Sequence, residues 1–367
     1  MVTEEQIRNN LDEIIVPGVM RSILKLNLIR EITTENGNIN ISLASAALNE
    51  TSQTWIKKKV LQNLRTLPDI KDVNLEFVAA QPKDVSQVRN VVAVMSGKGG
   101  VGKSLVTGLL AISLRRRGYE VGILDGDITG PSIPRMFGIH ERPMGNETGI
   151  MPATSRLGIG IMSINLLLPN EDDAVIWRGP LIGKTITQFW EDVLWGKLDY
   201  LLVDLPPGTA DAPLTVMQSL PVSGVVIAFT PQELAAMVVR KAVQMVRHMN
   251  VPVIGVVENM SYFTLPDSGK RIELFGKSKA QQMVNAAQAP LLAQLPIDPQ
   301  LAQLCDDGHI ERYESEVLGK LADSFLEVMS TRAPANKPAQ CCGTDGSCGA
   351  REGCGDSRTC EGGQCQG

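Results

Sequence analysis

Three clusters of side chains in this chain have the types and spacing of phosphate chemistry. The first is Gly97-Lys98-Gly99-Gly100-Val101-Gly102-Lys103-Ser104, at the end of an apolar run that starts at Val91. It fills the pattern G-x-x-x-x-G-K-[ST], and a helical pattern follows it to Arg117, so strand, loop and helix come in the order a phosphate-binding loop requires. The glycines let backbone N–H groups turn inward around phosphate oxygens, and the new helix points its positive end at the same place. Lys103 is placed to reach the β- and γ-phosphates and Ser104 to ligate Mg2+. The second cluster, VGILDGDITGPS, is a buried-type strand ending in Asp125 and Asp127. The third, LDYLLVDLPPGTAD, is a strand ending in Asp204, followed by Pro206, Pro207, Gly208 and Asp211. In open α/β sheets ligands lie beyond the carboxyl ends of the strands, which puts these aspartates beside the phosphates. Asp204 suits an Mg2+-side role at a strand end.

The elements around these clusters alternate. The strand GVVIAFTP precedes the helix ELAAMVVRKAVQMVRHM, then come strand PVIGVVENM, helix SKAQQMVNAA, strand LLAQLP and a last helix from about 315 to 329. Such alternation predicts an α/β fold, a doubly wound, mostly parallel sheet. A small α+β domain over residues 1–78 is expected before it, with helices near 3–14 and 52–67, a strand over 73–78, and a hairpin turning at Asn36-Gly37. Residues 79–88 are polar, contain a proline and read as a linker, so the core domain spans 89–330, with a second linker at 331–340.

The chain has 367 residues, with 35 basic against 40 acidic side chains, and no charge footprint for nucleic acid. Its amino-terminal residues, MVTEEQIRNN, lack the apolar core of a signal peptide, and the longest apolar runs are strand-sized. A cytoplasmic protein that does not bind membranes is the expectation. Of seven cysteines, Cys305 stands alone and reads as a packing residue. Cys341, Cys342, Cys348, Cys354, Cys360 and Cys365 crowd the last segment, 341–367, where only Ala350 is apolar. Composition therefore predicts no fold for this tail unless something binds the thiols. Thiolates without nearby histidines suit iron-sulfur clusters, zinc or Cu(I), and the spacing does not choose among these or a thiol redox role.

Lys98, directly after the first glycine, is not required by a generic phosphate loop. GKGGVGKS resembles the deviant Walker A loop of the family that holds MinD, ParA, the nitrogenase iron protein and the Mrp-type iron-sulfur carriers. DLPPGTAD is similar to switch II of the Mrp-type members in particular, and VPGVMRSILKLNLIREI to the small iron-sulfur assembly domain that often precedes them. The resemblance implies an Mg2+-dependent P-loop ATPase that binds ATP in a homodimer and carries iron-sulfur clusters, of the 4Fe-4S type, to apoproteins with the help of assembly factors. It implies that Lys98 crosses the dimer to the partner's nucleotide, that Asp127 orients the attacking water, that Gly208 donates an N–H to the γ-phosphate and that Asn259 contacts adenine. Trp177-Arg178-Gly179-Pro180 matches a further family motif whose role the residues do not state. One departure is informative. Mrp-type carriers commonly have a C-x-x-C pair after the ENM strand, for a cluster shared by two protomers, and here Leu265 and Ser268 stand at those positions. Neither is a thiolate ligand, so no cluster is expected there. The tail cysteines become the candidate ligands. A positioning ATPase of the MinD or ParA kind, or a non-enzymatic metal-binding or redox module switched by nucleotide, are the alternative functions.

Overall fold

In the computed structural model, residues 2–332 are described apart from 69, 129, 169–178, 210, 233 and 234, and the side chains of 179, 180, 235, 236 and 238 are likewise left aside. The tail cysteines and Trp177-Arg178 lie outside the described residues. The described chain falls within one compact unit, residues 1–335.

The amino-terminal module begins with α1 (Glu4–Asp12), whose start is fixed by a capping box: Thr3 accepts from Gln6 N while the Gln6 side chain accepts from Thr3 N. Two short strands, β1 (Ile15–Val16) and β2 (Arg21–Ser22), pair before the hairpin of β3 (Ile29–Glu35) and β4 (Asn38–Ala44). Asn36 and Gly37 have φ of 53° and 87°, the backbone a two-residue type I′ turn demands, which is why Asn-Gly marks the bend. Helix α2 (Glu50–Leu64), capped by Asn49, buries Ile56, Val60 and Leu64 on one stripe. β5 (Asp72–Val78) then pairs parallel to β4.

The segment read as a linker is built into the fold. α3 (Pro82–Val85) buries Pro82 and Val85, and β6 (Gln87–Ser96) already starts at Gln87. The core continues through α4 (Lys103–Arg116), β7 (Val121–Asp125), α5 (Ile133–Phe137), the small pair β8 (Gly145–Asn146) and β9 (Gly149–Ile150), β10 (Ala153–Thr154), β11 (Gly160–Ser163), α6 (Gly179–Asp192), β12 (Lys197–Asp204), α7 (Asp211–Gln218), β13 (Gly224–Phe229) and α8 (Ala235–His248). It ends with β14 (Val253–Thr264), β15 (Arg271–Ile272), α9 (Ala280–Ala287), β16 (Leu291–Ile297), α10 (Pro299–Asp306) and α11 (Glu316–Ser330). Among the described residues these strands make a nine-stranded sheet in the order β10-β11-β7-β12-β6-β13-β14-β15, with β16 on β14. The pairs β10–β11 and β14–β15 are antiparallel and the others parallel.

β6 is buried from Val91 to Ser96 and its side chains alternate between two cores: Val91, Ala93 and Met95 on one face, Val92 and Val94 on the other. Helices on both faces explain why the run is continuously apolar. The chain goes from β6 toward β7 on one side and later to β13 on the other, so the topological switch lies at the carboxyl end of β6. No helix among the described residues is long and apolar enough to cross a membrane.

The amino-terminal module keeps its own apolar cluster, which among the described residues takes in Met151 and Leu194 of the core. Polar contacts fix it in place. Arg21, 3% exposed, donates to the carbonyls of Trp195 (2.8 Å), Lys197 (3.0 Å) and Lys25 (3.2 Å). Burial lowers its pKa to about 10, opposed by nearby Glu120, so it keeps its charge at neutral pH. Lys197 N donates to Lys25 O at 2.8 Å, and Gly196 (φ 65°) leaves no room for a Cβ, which would lie 2.6 Å from that carbonyl. Replacing Arg21 by Ala strands these buried carbonyls, and unfolding of the intact chain in urea is expected to show a loss of about 3 kcal/mol, with less than about 1 kcal/mol contradicting this view of the junction.

Candidate nucleotide site

The loop Gly97–Ser104 leaves the buried end of β6 and closes on the first residues of α4. Its backbone bends where the glycines allow: Gly100 and Gly102 have φ of 77° and 78°. A Cβ at Gly102 would also collide with the Asn259 side chain. Ser96 Oγ donates to Lys98 O at 3.0 Å, holding the first turn of the loop.

Asp204, fully buried at the end of β12, gathers the basic and hydroxylic groups of α4. Lys103 Nζ lies 2.8 Å from its Oδ2, Ser104 Oγ donates to the same oxygen at 2.5 Å, and Thr107 Oγ1 donates to Oδ1 at 2.9 Å. Lys103 is itself 6% exposed and reaches Asp127 at 3.7 Å. β7 runs beside β12 in register, Asp125 opposite Asp204, and the next strand places Ser163 opposite Asp125. Ser163 Oγ donates to Asp125 Oδ2 at 3.2 Å and Asp127 N to Oδ1 at 3.2 Å. Burial, reinforced by the negative charge of Asp204 and opposed by Lys103, raises the Asp125 pKa to about 8. Asp127 and Asp204 thus converge on one lysine with Asp125 beside them, and a site so rich in oxygen donors has room in its charge balance for a cation. Among the described residues no group of three His, Cys, Asp or Glu side chains could cage a metal unaided. Asp204 with Ser104 is a donor set of the kind Mg2+ takes, one or two carboxylates and a hydroxyl completed by the phosphates of a nucleotide.

The remaining expected site residues lie along the same edge. Gly208, with φ of 97°, donates its N–H to Ser96 O at 3.0 Å, so in this conformation that donor is engaged by the protein itself. Asn259, expected at a strand end, lies within β14, where it is 1% exposed, donates through Nδ2 to Val101 O at 2.9 Å and accepts from Met260 N at 2.9 Å. It therefore braces the phosphate loop. Lys98 Nζ donates to Gln232 Oε1 within the same chain. Asp211 is exposed in the first turn of α7.

Leu265 and Ser268 sit in the turn joining β14 to β15, where Leu265 N donates to Lys270 O (3.0 Å) and Gly269 N to Leu265 O (2.9 Å). The one cysteine among the described residues, Cys305, is half-buried on α10, and burial raises its pKa to about 11.

Two contributors were not anticipated from the residues. Thr107 lies four positions after Lys103, on the same face of α4, and the K-S-x-x-T spacing could have shown it. Ser163 ends a strand whose place beside β7 no local pattern reveals. Thr107→Val removes a hydrogen bond to a buried carboxylate and is expected to cost the nucleotide-free protein about 2 kcal/mol in urea unfolding; an unchanged midpoint and slope would contradict that role.

Residues 87–331 match the family model described as NUBPL iron-transfer P-loop NTPase, and residues 4–77 match the iron-sulfur cluster assembly protein family. The iron-sulfur cluster carrier protein of Clostridium perfringens is 46% identical over 237 residues, 62% of this chain and 83% of that protein. That of Deinococcus radiodurans is 37% identical over 338 residues, 88% of this chain and 95% of that protein, so the likeness includes both modules. Among solved structures, a nucleotide-binding protein from Archaeoglobus fulgidus in complex with ADP is 47% identical, covers 62% of this chain and 90% of its own, and superposes with a TM-score of 0.57. The loop, the aspartate-ended strands and the order of the two modules all agree with these likenesses: the chain belongs to the NUBPL-type iron-transfer P-loop NTPases, with an iron-sulfur assembly-type module in front.

Proposed function

We propose that the protein is an ATP-hydrolysing carrier that binds iron-sulfur clusters and transfers them to apoproteins in the cytoplasm. The observation that carries the enzymatic half is the buried contact of Asp204 with Lys103, Ser104 and Thr107 at the switch edge of the sheet. In this reading the N–H groups of residues 97–104 and the Lys103 ammonium hold the phosphates. Asp127 is the group that orients the attacking water. Ser104 and Asp204 would hold Mg2+, which when bound offsets charge on the β- and γ-oxygens. Lys103, now on Asp204, moves to the phosphates when nucleotide enters, and Gly208 exchanges Ser96 O for a phosphate oxygen. Asn259 lies beside the adenine while keeping its hold on Val101. Lys98 exchanges Gln232 for the nucleotide of a second copy, which makes the active form a homodimer.

The cargo half rests on where the thiols are. Residues 2–332 contain a single cysteine, half-buried and with a raised pKa, whereas the other six lie between Cys341 and Cys365. A 4Fe-4S cluster takes several thiolates, so the tail is the part of this chain with enough ligands. Hydrolysis then alters the switch residues and with them the affinity for the cluster or for the recipient.

Anaerobic reconstitution with iron and sulfide tests both ends of this reading. The full chain is expected to gain charge-transfer absorption and a chain ending at Arg332 to remain colourless, with both hydrolysing ATP and with Lys103→Ala abolishing hydrolysis. Absence of a cluster from the full chain would overturn the carrier role. Undiminished hydrolysis by Lys103→Ala would overturn the ATPase role.

A further inference from the structure

β14 does not run straight past the phosphate loop. Its pairing with β16 puts Glu258 opposite Gln294 and Tyr262 opposite Pro296, so Asn259, Met260 and Ser261 on β14 share the single residue Leu295 on β16. Bulges of this kind beside functional sites re-aim a side chain. Met260 takes the left-handed conformation here (φ 54°), and its N–H donates to Asn259 Oδ1 at 2.9 Å. The other end of the same amide, Nδ2, donates to Val101 O at 2.9 Å, and a Cβ at residue 102 would collide with it. Asn259 is thus clamped between the bulge and the phosphate loop, and the place of the one sets the place of the other.

Glu258 closes the bulge. Its fully buried Oε2 accepts from Ser261 Oγ at the far end of the bulge, from Gln294 Nε2 across the ladder and from Ser278 Oγ, each at 2.7 Å. Its Oε1 accepts from Lys279 N at 2.7 Å. Gln294 Nε2 lies 2.9 Å from Ser278 Oγ and 3.2 Å from Ser261 Oγ, so the four side chains form a ring. The ring ties both ends of the bulge to β16 and to the start of α9. Val256 and Val257, just before it, are fully buried without any charge, so continuing the strand needs no carboxylate. A buried carboxylate is costly unless donors surround it, and here all four partners donate.

We infer that Glu258 is a positioning residue for the nucleotide site: it holds the bulge that fixes Asn259 and, through Asn259, the Val101 carbonyl and the phosphate loop. The inference rests on the nucleotide-site reading above. Glu258 acts through Asn259 and not on the phosphates, so its loss weakens nucleotide binding in ground and transition state alike and leaves the turnover of bound nucleotide in place.

The test is ADP affinity by calorimetry, with KM and kcat for ATP, on the full chain in Mg2+. Glu258→Gln puts an N–H2 among four donors, and Ser261→Ala unties one end of the bulge. Each is expected to raise the ADP Kd and the ATP KM by about fivefold or more, with kcat within about twofold of the parent. Adding Gln294→Glu to Glu258→Gln exchanges carboxylate and amide within the ring, and is expected to return both constants to within about twofold of the parent. Glu311→Gln is the control. It alters a carboxylate, 9% exposed, that accepts from Ser155 Oγ (2.6 Å) and Leu157 N (3.1 Å), in a residue whose carbonyl meets Arg116 at the far end of α4. Its ADP Kd is expected to match the parent's. Unchanged ADP affinity in both Glu258→Gln and Ser261→Ala, or an equal loss in Glu311→Gln, would overturn the positioning role. The expected ADP shifts in a chain that hydrolyses no ATP would support the positioning role and overturn the ATPase reading alone.

Discussion

A fully buried carboxylate at the end of β12 governs the organisation of this protein. An ionised aspartate without solvent is costly unless several donors surround it, and Asp204 is satisfied by one ammonium and two hydroxyls, all from the first two turns of α4. That demand fixes the rotation of α4, and with it the exit of the phosphate loop. It also makes the site bistable in principle. Lys103 and Ser104 face Asp204 here, and they are the same groups a nucleotide and its cation would draw on.

The position of Asp204 depends in turn on the strands beside it. β12 lies between β6 and β7, in register with both, so the phosphate loop, Asp125 and Asp204 leave the sheet at one level. At its other end β12 begins where Lys197 N meets Lys25 O and Arg21 caps the carbonyls of Trp195 and Lys197. The amino-terminal module is thus keyed to the strand that carries the central carboxylate. The module is attached to the core through buried hydrogen bonds, not through a loose tether.

Much of this was legible in the residues because it is local. Asn36-Gly37 forces a turn, Gly97 to Ser104 forces a phosphate loop, and apolar strands ending in Asp125 and Asp204 announce the edge where ligands gather. What the residues did not disclose depends on register between distant segments. Ser163 meets Asp125 only because β11 pairs with β7. Residues 79–88 look like a linker because Pro82 and Val85 are isolated apolar positions in a polar stretch, and only the folded chain reveals the surface that buries them. Asn259 reads as a strand-end residue, yet its bond to Val101 O arises from a contact between β14 and the loop after β6. The buried clamp around Glu258 likewise joins residues drawn from three elements and has no spacing to betray it.

In the proposed carrier, the state of the nucleotide site controls the handling of the cluster. It is tested most directly by the rate of cluster transfer from the reconstituted full chain to an apo-ferredoxin, followed by circular dichroism with and without Mg-ATP. Mg-ATP is expected to change the rate for the parent chain and to have no effect on Lys103→Ala. Equal rates with and without Mg-ATP in the parent would contradict it.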